Sequence, residues 1–230
     1  MDRRRRQPPL IVALYAITSI CGLLDAACFL GLGRVFSEIM TGNLVYLAFS
    51  LGTIGTHGAG PILPYVSVLA FFMVGAVAGG RFLRLPARLS DRRAGFAVEW
   101  AALLAATVTT AILHPGPEGG ARFVVTGILS FAMGIQNAML RRWGVANLAT
   151  NVMTLTMTAL VADSRLAGGP RTHARRRAAS LAIFAASATL GAFLLRYGVL
   201  WPLVLSLAIF SLALPVLLQK SEAESRAVHP

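Results

Sequence analysis

Charge is what this sequence has least of. Asp, Glu, Lys and Arg make up 13% of the 230 residues, about half the share usual in a soluble domain. The charge that exists is one-sided, with 21 basic residues against 9 acidic ones, and every basic residue except Lys220 is arginine. Cysteine is limited to Cys21 and Cys28, seven residues apart in one apolar stretch. That excludes a disulfide framework or a metal knuckle, and both read as small buried hydrophobes. The four histidines, His57, His114, His173 and His229, fall between apolar segments or in the tail, so no zinc pair of the HExxH type and no His-based dyad can form from neighbours. Phosphate-binding GxxxxGK[ST] loops, GxSxG elbows and CxxC pairs are also missing. A membrane-embedded hydrolase would have only Asp25 to work with, and Glu38 or Glu99 as distant partners. An enzyme, a metal site and a cofactor are therefore not expected.

What is present is apolar. Hydrophobic residues reach 56% and mean hydropathy is +0.69, more than one soluble core of this size can bury, so the fold class expected is an all-α membrane protein. The N-terminus imitates a secretory signal, with Arg3 to Arg6 preceding an apolar run over 10–32. That run exceeds the 7 to 15 residues of a signal core, and Asp25 stands where a lipoprotein cleavage site before Cys28 would need an apolar residue. It reads as a retained first span. Five further apolar segments, 62–83, 94–113, 121–140, 178–195 and 199–218, approach the about 20 residues that cross a bilayer core. Two shorter ones, 38–51 and 146–162, would measure only roughly 20 to 25 Å as helices.

The arginines decide whether the short segments cross, because short cytoplasmic loops accumulate basic residues. With eight spans, nine of the 21 basic residues would face outward, close to no bias. With six spans and two dipping segments, 18 lie inside and only Arg34, Arg122 and Arg196 outside. The second topology is the one expected, with both termini cytoplasmic in the cell (inner) membrane. A basic balance that orients helices leaves no reason to invoke nucleic acid, and the lipid bilayer is the expected partner. Oligomeric state leaves no trace in the sequence.

Six spans divide the chain into a basic N-terminus (1–9), a first unit (10–113), a second unit (121–218) and a mobile cytoplasmic tail (219–230). Each unit reads span, dip, span, span, and three crossings apiece give the two units opposite orientation. Short echoes fall at matching places. Gly22-Leu23-Leu24-Asp25-Ala26 is answered by Gly134-Ile135-Gln136-Asn137-Ala138, Met40-Thr41 by Met153-Thr154, and the small-residue pair Gly75/Gly79 by Ser187/Gly191. These same motifs, with Gly33-Arg34-Val35-Phe36, Met40-Thr41-Gly42-Asn43 and the Arg-Arg-x-Gly of 141–144, resemble the YoaK-like family of small bacterial integral membrane proteins, over essentially 10–218. The resemblance implies a multi-pass inner-membrane protein in a family known chiefly as one of unknown function. Relatives tend to carry Thr-Gly where this chain has Thr154-Leu155, which implies that the second dip packs differently.

Ionisable and amide groups inside apolar segments are the candidates for function. Asp25 lies two-thirds along the first span, where a carboxylate costs about 2.5–3.5 kcal/mol and so faces a partner or water. Its repeat counterpart Asn137 can share the geometry but cannot titrate. Glu38 follows Arg34 by four residues, consistent with a salt bridge, and Ser37 before it could cap a helix starting there. Thr41, Gly42 and Asn43 place a hydroxyl, a bare backbone and an amide at membrane depth, and the second dip holds Asn147, Thr150, Asn151, Thr154, Thr156 and Thr158. Gln136 adds a second amide beside Asn137. Each of these has a bland alternative in interhelical hydrogen bonds of about 0.6 kcal/mol. Glu99 is expected as an interfacial anchor and Asp163, beside Arg165, as a solvated charge. The functional expectation is a small-solute or ion transporter or channel with its polar path between the dips and Asp25 as coupling group. The alternative is a non-transporting membrane scaffold or assembly factor. Cysteine labelling tests the topology: a residue in the loop between Arg81 and Arg93 should react only from the cytoplasmic side and one near Gly58 only from outside, and reaction of both from one side rejects six spans.

Overall fold

A bilayer core offers backbone groups no water, so apolar runs of this length fold as helices that satisfy their own hydrogen bonds. The computed structural model describes residues 8–57, 60–82, 89–142, 153–169 and 173–228, and among these residues every regular element is helical. In chain order they are α1 (Pro8–Ala26) with a π-helical turn at Ala27–Gly31, α2 (Met40–Gly52), α3 (Leu63–Phe82), α4 (Leu89–Leu113), α5 (Ala121–Arg142), α6 (Met153–Ala162), α7 (Ala174–Leu194) and α8 (Leu200–Val228). Pro8 and Pro9 open α1, where a missing N–H costs nothing.

Six stretches are long and apolar enough to cross a membrane: Ile11–Gly31, Leu63–Phe82, Arg93–Leu113, Ala121–Arg141, Ala174–Tyr197 and Leu200–Leu218. They coincide with the six read from the sequence, and they are the make-up of a multi-pass membrane protein. Among the described residues α2 and α6 span 13 and 10 residues, less than the about 20 that cross a bilayer core. The helix α8 continues to Val228, so the tail expected to be mobile has helical backbone. Residues 146–152 of the second expected dip lie outside the described residues.

The centre of the bundle is α1 and α5, with 67% and 61% of their apolar stretches buried against 17–33% in the other four. They run antiparallel. Gly33, just past α1, lies against Arg122 at the start of α5, and Cys21 within α1 meets Gln136 near the end of α5. Around this pair, α1 packs on α7 and α8, α5 packs on α3 and α4, and α4 packs on α8. The short helices lean on the spans that follow them, α2 on α3 and α6 on α7.

Without a hydrophobic drive between helices in lipid, close approach of backbones supplies the packing, and here it happens twice with the same positions. A Cβ on Gly22 would lie 2.7 Å from Phe184 O and 2.9 Å from Ala188 N of α7. One on Gly134 would overlap Phe72 O and lie 2.8 Å from Ala76 N of α3. Gly191 abuts Leu23 and Ala26, as Gly79 abuts Ile135 and Ala138. Every residue of one set is 112 positions from its counterpart in the other, as 22 is from 134, 72 from 184 and 79 from 191. The α1–α7 and α3–α5 interfaces thus rest on equivalent small residues. Replacing Gly134 or Gly22 by Val should lower stability by about 1–3 kcal/mol or more through overpacking, read as a drop in thermal midpoint in detergent. Gly119→Ala, where the space is open, should leave it unchanged.

Candidate functional site

The polar core of the molecule is built by a reversal of the chain after α1. The π-helical turn widens the last turn of that helix, which closes with Leu32 N donating to Cys28 O (3.2 Å) and Arg34 N donating to Phe29 O (3.1 Å). Gly33 (φ 101°) and Arg34 (φ 62°) both adopt left-handed backbone. Glycine does so freely, whereas for Arg34 it costs roughly 1–2 kcal/mol that the packing around it must offset. The chain then returns along α1. Asp25 Oδ1 accepts from Ser37 N (2.8 Å), Glu38 N (2.9 Å) and Ser37 Oγ (3.0 Å). Since Asp25 precedes Gly31 by six residues, the segment re-enters the bundle by about 9 Å at 1.5 Å per residue. Met40 then starts α2, which leads back out. Ser50 Oγ approaches Pro61 O (3.3 Å), just before α3, and the Tyr46 ring stacks on Tyr65 at 5.7 Å.

Asn43 holds the returning segment from the other side. Its Oδ1 accepts from Phe36 N (2.9 Å) and its Nδ2 donates to Phe36 O (2.8 Å), so the amide pairs with a peptide as a neighbouring β-strand would. Gly42 is needed beneath it, because a Cβ there would lie 2.9 Å from the Phe36 ring, itself stacked on Phe29 at 4.7 Å. Thr41 is exposed.

Behind this reversal lies a buried cluster of acceptors. Asp25, Glu38 and Gln136 are all buried, and Asp25 Oδ2, Glu38 Oε1 and Gln136 Oε1 have no hydrogen-bond partner. The Glu38 carboxyl faces Asp25 and the thiol of Cys21, while Gln136 Nε2 donates to Cys21 Sγ (3.4 Å) and Met133 Sδ (3.8 Å). Each unpaired buried acceptor costs about 1–3 kcal/mol. With three donors on Oδ1, Asp25 is the better hydrogen-bonded of the two carboxyls.

Several expected residues sit elsewhere. Asn137, the counterpart of Asp25, is half-buried and donates from Nδ2 to Met133 O of its own helix (2.9 Å). Thr154 and Thr158 are exposed on α6, where Thr156 is the buried threonine. Asn147, Thr150 and Asn151 lie outside the described residues. Ser37 does not cap α2, which begins only at Met40, and its hydroxyl serves Asp25 instead. The Arg34–Glu38 pair does not form as a helical i, i+4 contact, since a left-handed reversal and not a helix separates the two, and Glu38 turns inward while Arg34 is exposed. Asp163 keeps 42% of its side chain exposed, as a solvated charge would, and pairs with Arg177 (2.5 Å), which also donates to Ala159 O (2.8 Å) and so ties α6 to α7. Glu99 is not interfacial but fully buried, with both oxygens unpartnered. Cys21 and Ser37 were not anticipated in the cluster. For Cys21 the signal was available, as it precedes Asp25 by four residues and so shares its helix face.

A model of the family described as proteins of unknown function, DUF1275, matches residues 13–216. The chain belongs to that family. No curated protein and no solved structure matches it.

The hydrogen bonds at Asp25 give an ordered set of outcomes. Asp25→Ala, which strands two amides and a hydroxyl, should destabilise the protein by about 2–3 kcal/mol and speed hydrogen exchange at the Ser37 and Glu38 amides by at least tenfold. Asp25→Asn, which keeps an acceptor, should do less. Asn43→Ala should accelerate exchange at the Phe36 amide, whose acceptor it removes.

Proposed function

We propose that this member of the DUF1275 family is a YoaK-like protein of the bacterial cell membrane, with both termini cytoplasmic, that works as a small-solute transporter or channel and not as an enzyme. It is built as two inverted three-span units, each with a membrane-dipping segment, and the path lies where those segments approach the central helices. The inverted arrangement is supported by interfaces repeated at 112 positions while the equivalent helices α1 and α5 run antiparallel. The dip is supported by a segment, 33–53, that folds back to Asp25 and returns to the level of Pro61.

The observation that carries the reading is the group of unpartnered buried oxygens on Asp25, Glu38 and Gln136. A scaffold gains nothing from desolvated acceptors, whereas intramembrane ionisable groups mark ion and proton routes. Asp25 and Glu38 are the proton-holding pair, Gln136 is the contact from the opposite unit, and Thr41, Gly42 and Asn43 shape the first segment. The scaffold reading keeps one specific support, since both polar ends of Asn43 and one oxygen of Asp25 are committed to backbone.

A solute screen in proteoliposomes separates the two. Transport predicts saturable uptake of at least one small solute, with a pH dependence that Asp25→Asn or Glu38→Gln removes. Absence of any protein-dependent flux, or flux with unchanged pH dependence in both variants, rejects the proton-coupled path.

A further inference from the structure

A second feature lies outside the acceptor cluster, at the end of the bundle where α1 stops and α3 begins. There a cavity of about 260 Å³ opens between the dipping segment and α3, with Arg34, Tyr46, Phe49, Ser50, Thr53 and Tyr65 on its walls. Its apolar surface is aromatic: Tyr46 and Tyr65 stack at 5.7 Å and 11°, and Phe49 meets Tyr46 edge-on at 6.4 Å. Its hydroxyl donors are partly committed, because Ser50 Oγ donates to Tyr46 O (3.0 Å) and Thr53 Oγ1 to Phe49 O (2.9 Å). Arg34 is the charged group of the lining, and its left-handed backbone is what sets it apart from the buried Glu38 four residues on.

The surroundings reinforce the sign. Arg122 lies against Gly33, and Arg196 follows Leu195, whose side chain packs on Gly31. These two guanidinium groups are engaged by the rings next to them, Phe123 at 5.0 Å and Phe193 at 5.2 Å. Arg34 has no ion pair among the described residues: Glu38, four residues on, is buried, and Glu118 stands in the exposed loop whose Pro117 adjoins Gly33. The Arg34 guanidinium is exposed and is free to pair with an anionic solute, whereas a cation would be repelled.

We propose that this cavity binds a small monocarboxylate with a flat apolar body. The Arg34 guanidinium takes the carboxylate in its two-pronged geometry, and Tyr46, Tyr65 and Phe49 hold the body by stacking and edge contacts. The volume, below the roughly 300 Å³ at which ordinary ligand pockets begin, suits one ring. As the outer entrance of the path it names the substrate class, and in that role alone it rests on the transport reading; the binding itself does not.

The test is equilibrium binding of radiolabelled benzoate to the full chain in nanodiscs of zwitterionic lipid. Binding should saturate, neutral benzamide should compete at least tenfold less well, and Arg34→Gln should weaken binding at least tenfold. Thr53→Glu, at a half-buried wall position, should do the same by repulsion and decides the matter if the Arg34 variant loses its helical signal. Arg196→Gln should leave binding unchanged. Non-saturable uptake, equal competition by benzamide, or unchanged affinity in a folded Arg34→Gln or Thr53→Glu protein overturns the site. Solute flux without benzoate binding would overturn this inference and leave transport standing; benzoate binding without flux of any solute would do the reverse.

Discussion

The arrangement depends on one carboxylate oxygen. Asp25 Oδ1 is the point to which the chain returns after leaving α1, and three donors from Ser37 and Glu38 converge on it. A short segment that enters a helix bundle without crossing it must find partners for amides that no helix serves, and in lipid it cannot borrow them from water. A charged acceptor meets that need more strongly than a neutral one. Everything specific to this half follows from it: Glu38 is drawn inward against Cys21, Asn43 takes over the Phe36 peptide, and α2 can start only at Met40.

The same anchoring explains why the oxygens left over are the chemically interesting ones. Oδ2 of Asp25 finds no donor, and Glu38 and Gln136 each leave an oxygen equally bare. A cluster satisfied on its structural side and unsatisfied on the other is held in place by bonds that do not consume its capacity to bind a proton. Anchoring the returning segment and leaving an oxygen bare are therefore not alternatives for Asp25, since they use different atoms of one side chain.

The spans were legible in the sequence because apolar run length is a one-dimensional quantity that survives folding. The echo between Gly22 and Gly134 was legible for the same reason, and its packing meaning emerged with the interfaces. The reversal at Gly33 and Arg34 was not legible. Counting four residues from Arg34 to Glu38 presumes a helix, and a left-handed pair of residues sends the two side chains to opposite surroundings. Asn43 was legible as a polar group at depth but not as a partner for a peptide, because nothing in a residue's type says whether backbone or solute will occupy it. Glu99 looked interfacial from its distance to the basic loop, yet the face of α4 on which it stands turns it into the protein.

The glycine contacts repeated 112 residues apart make the molecule its own reference. Positions 65 and 177 occupy equivalent places in the two halves, yet one is the tyrosine of an aromatic wall and the other the arginine that ties α6 to α7. Likewise Asp25 anchors the returning segment, whereas Asn137, 112 positions on, bonds within its own helix. Whatever the two halves share is what the architecture demands, and whatever separates them is where this chain has specialised, so one sequence carries a comparison that otherwise takes two proteins.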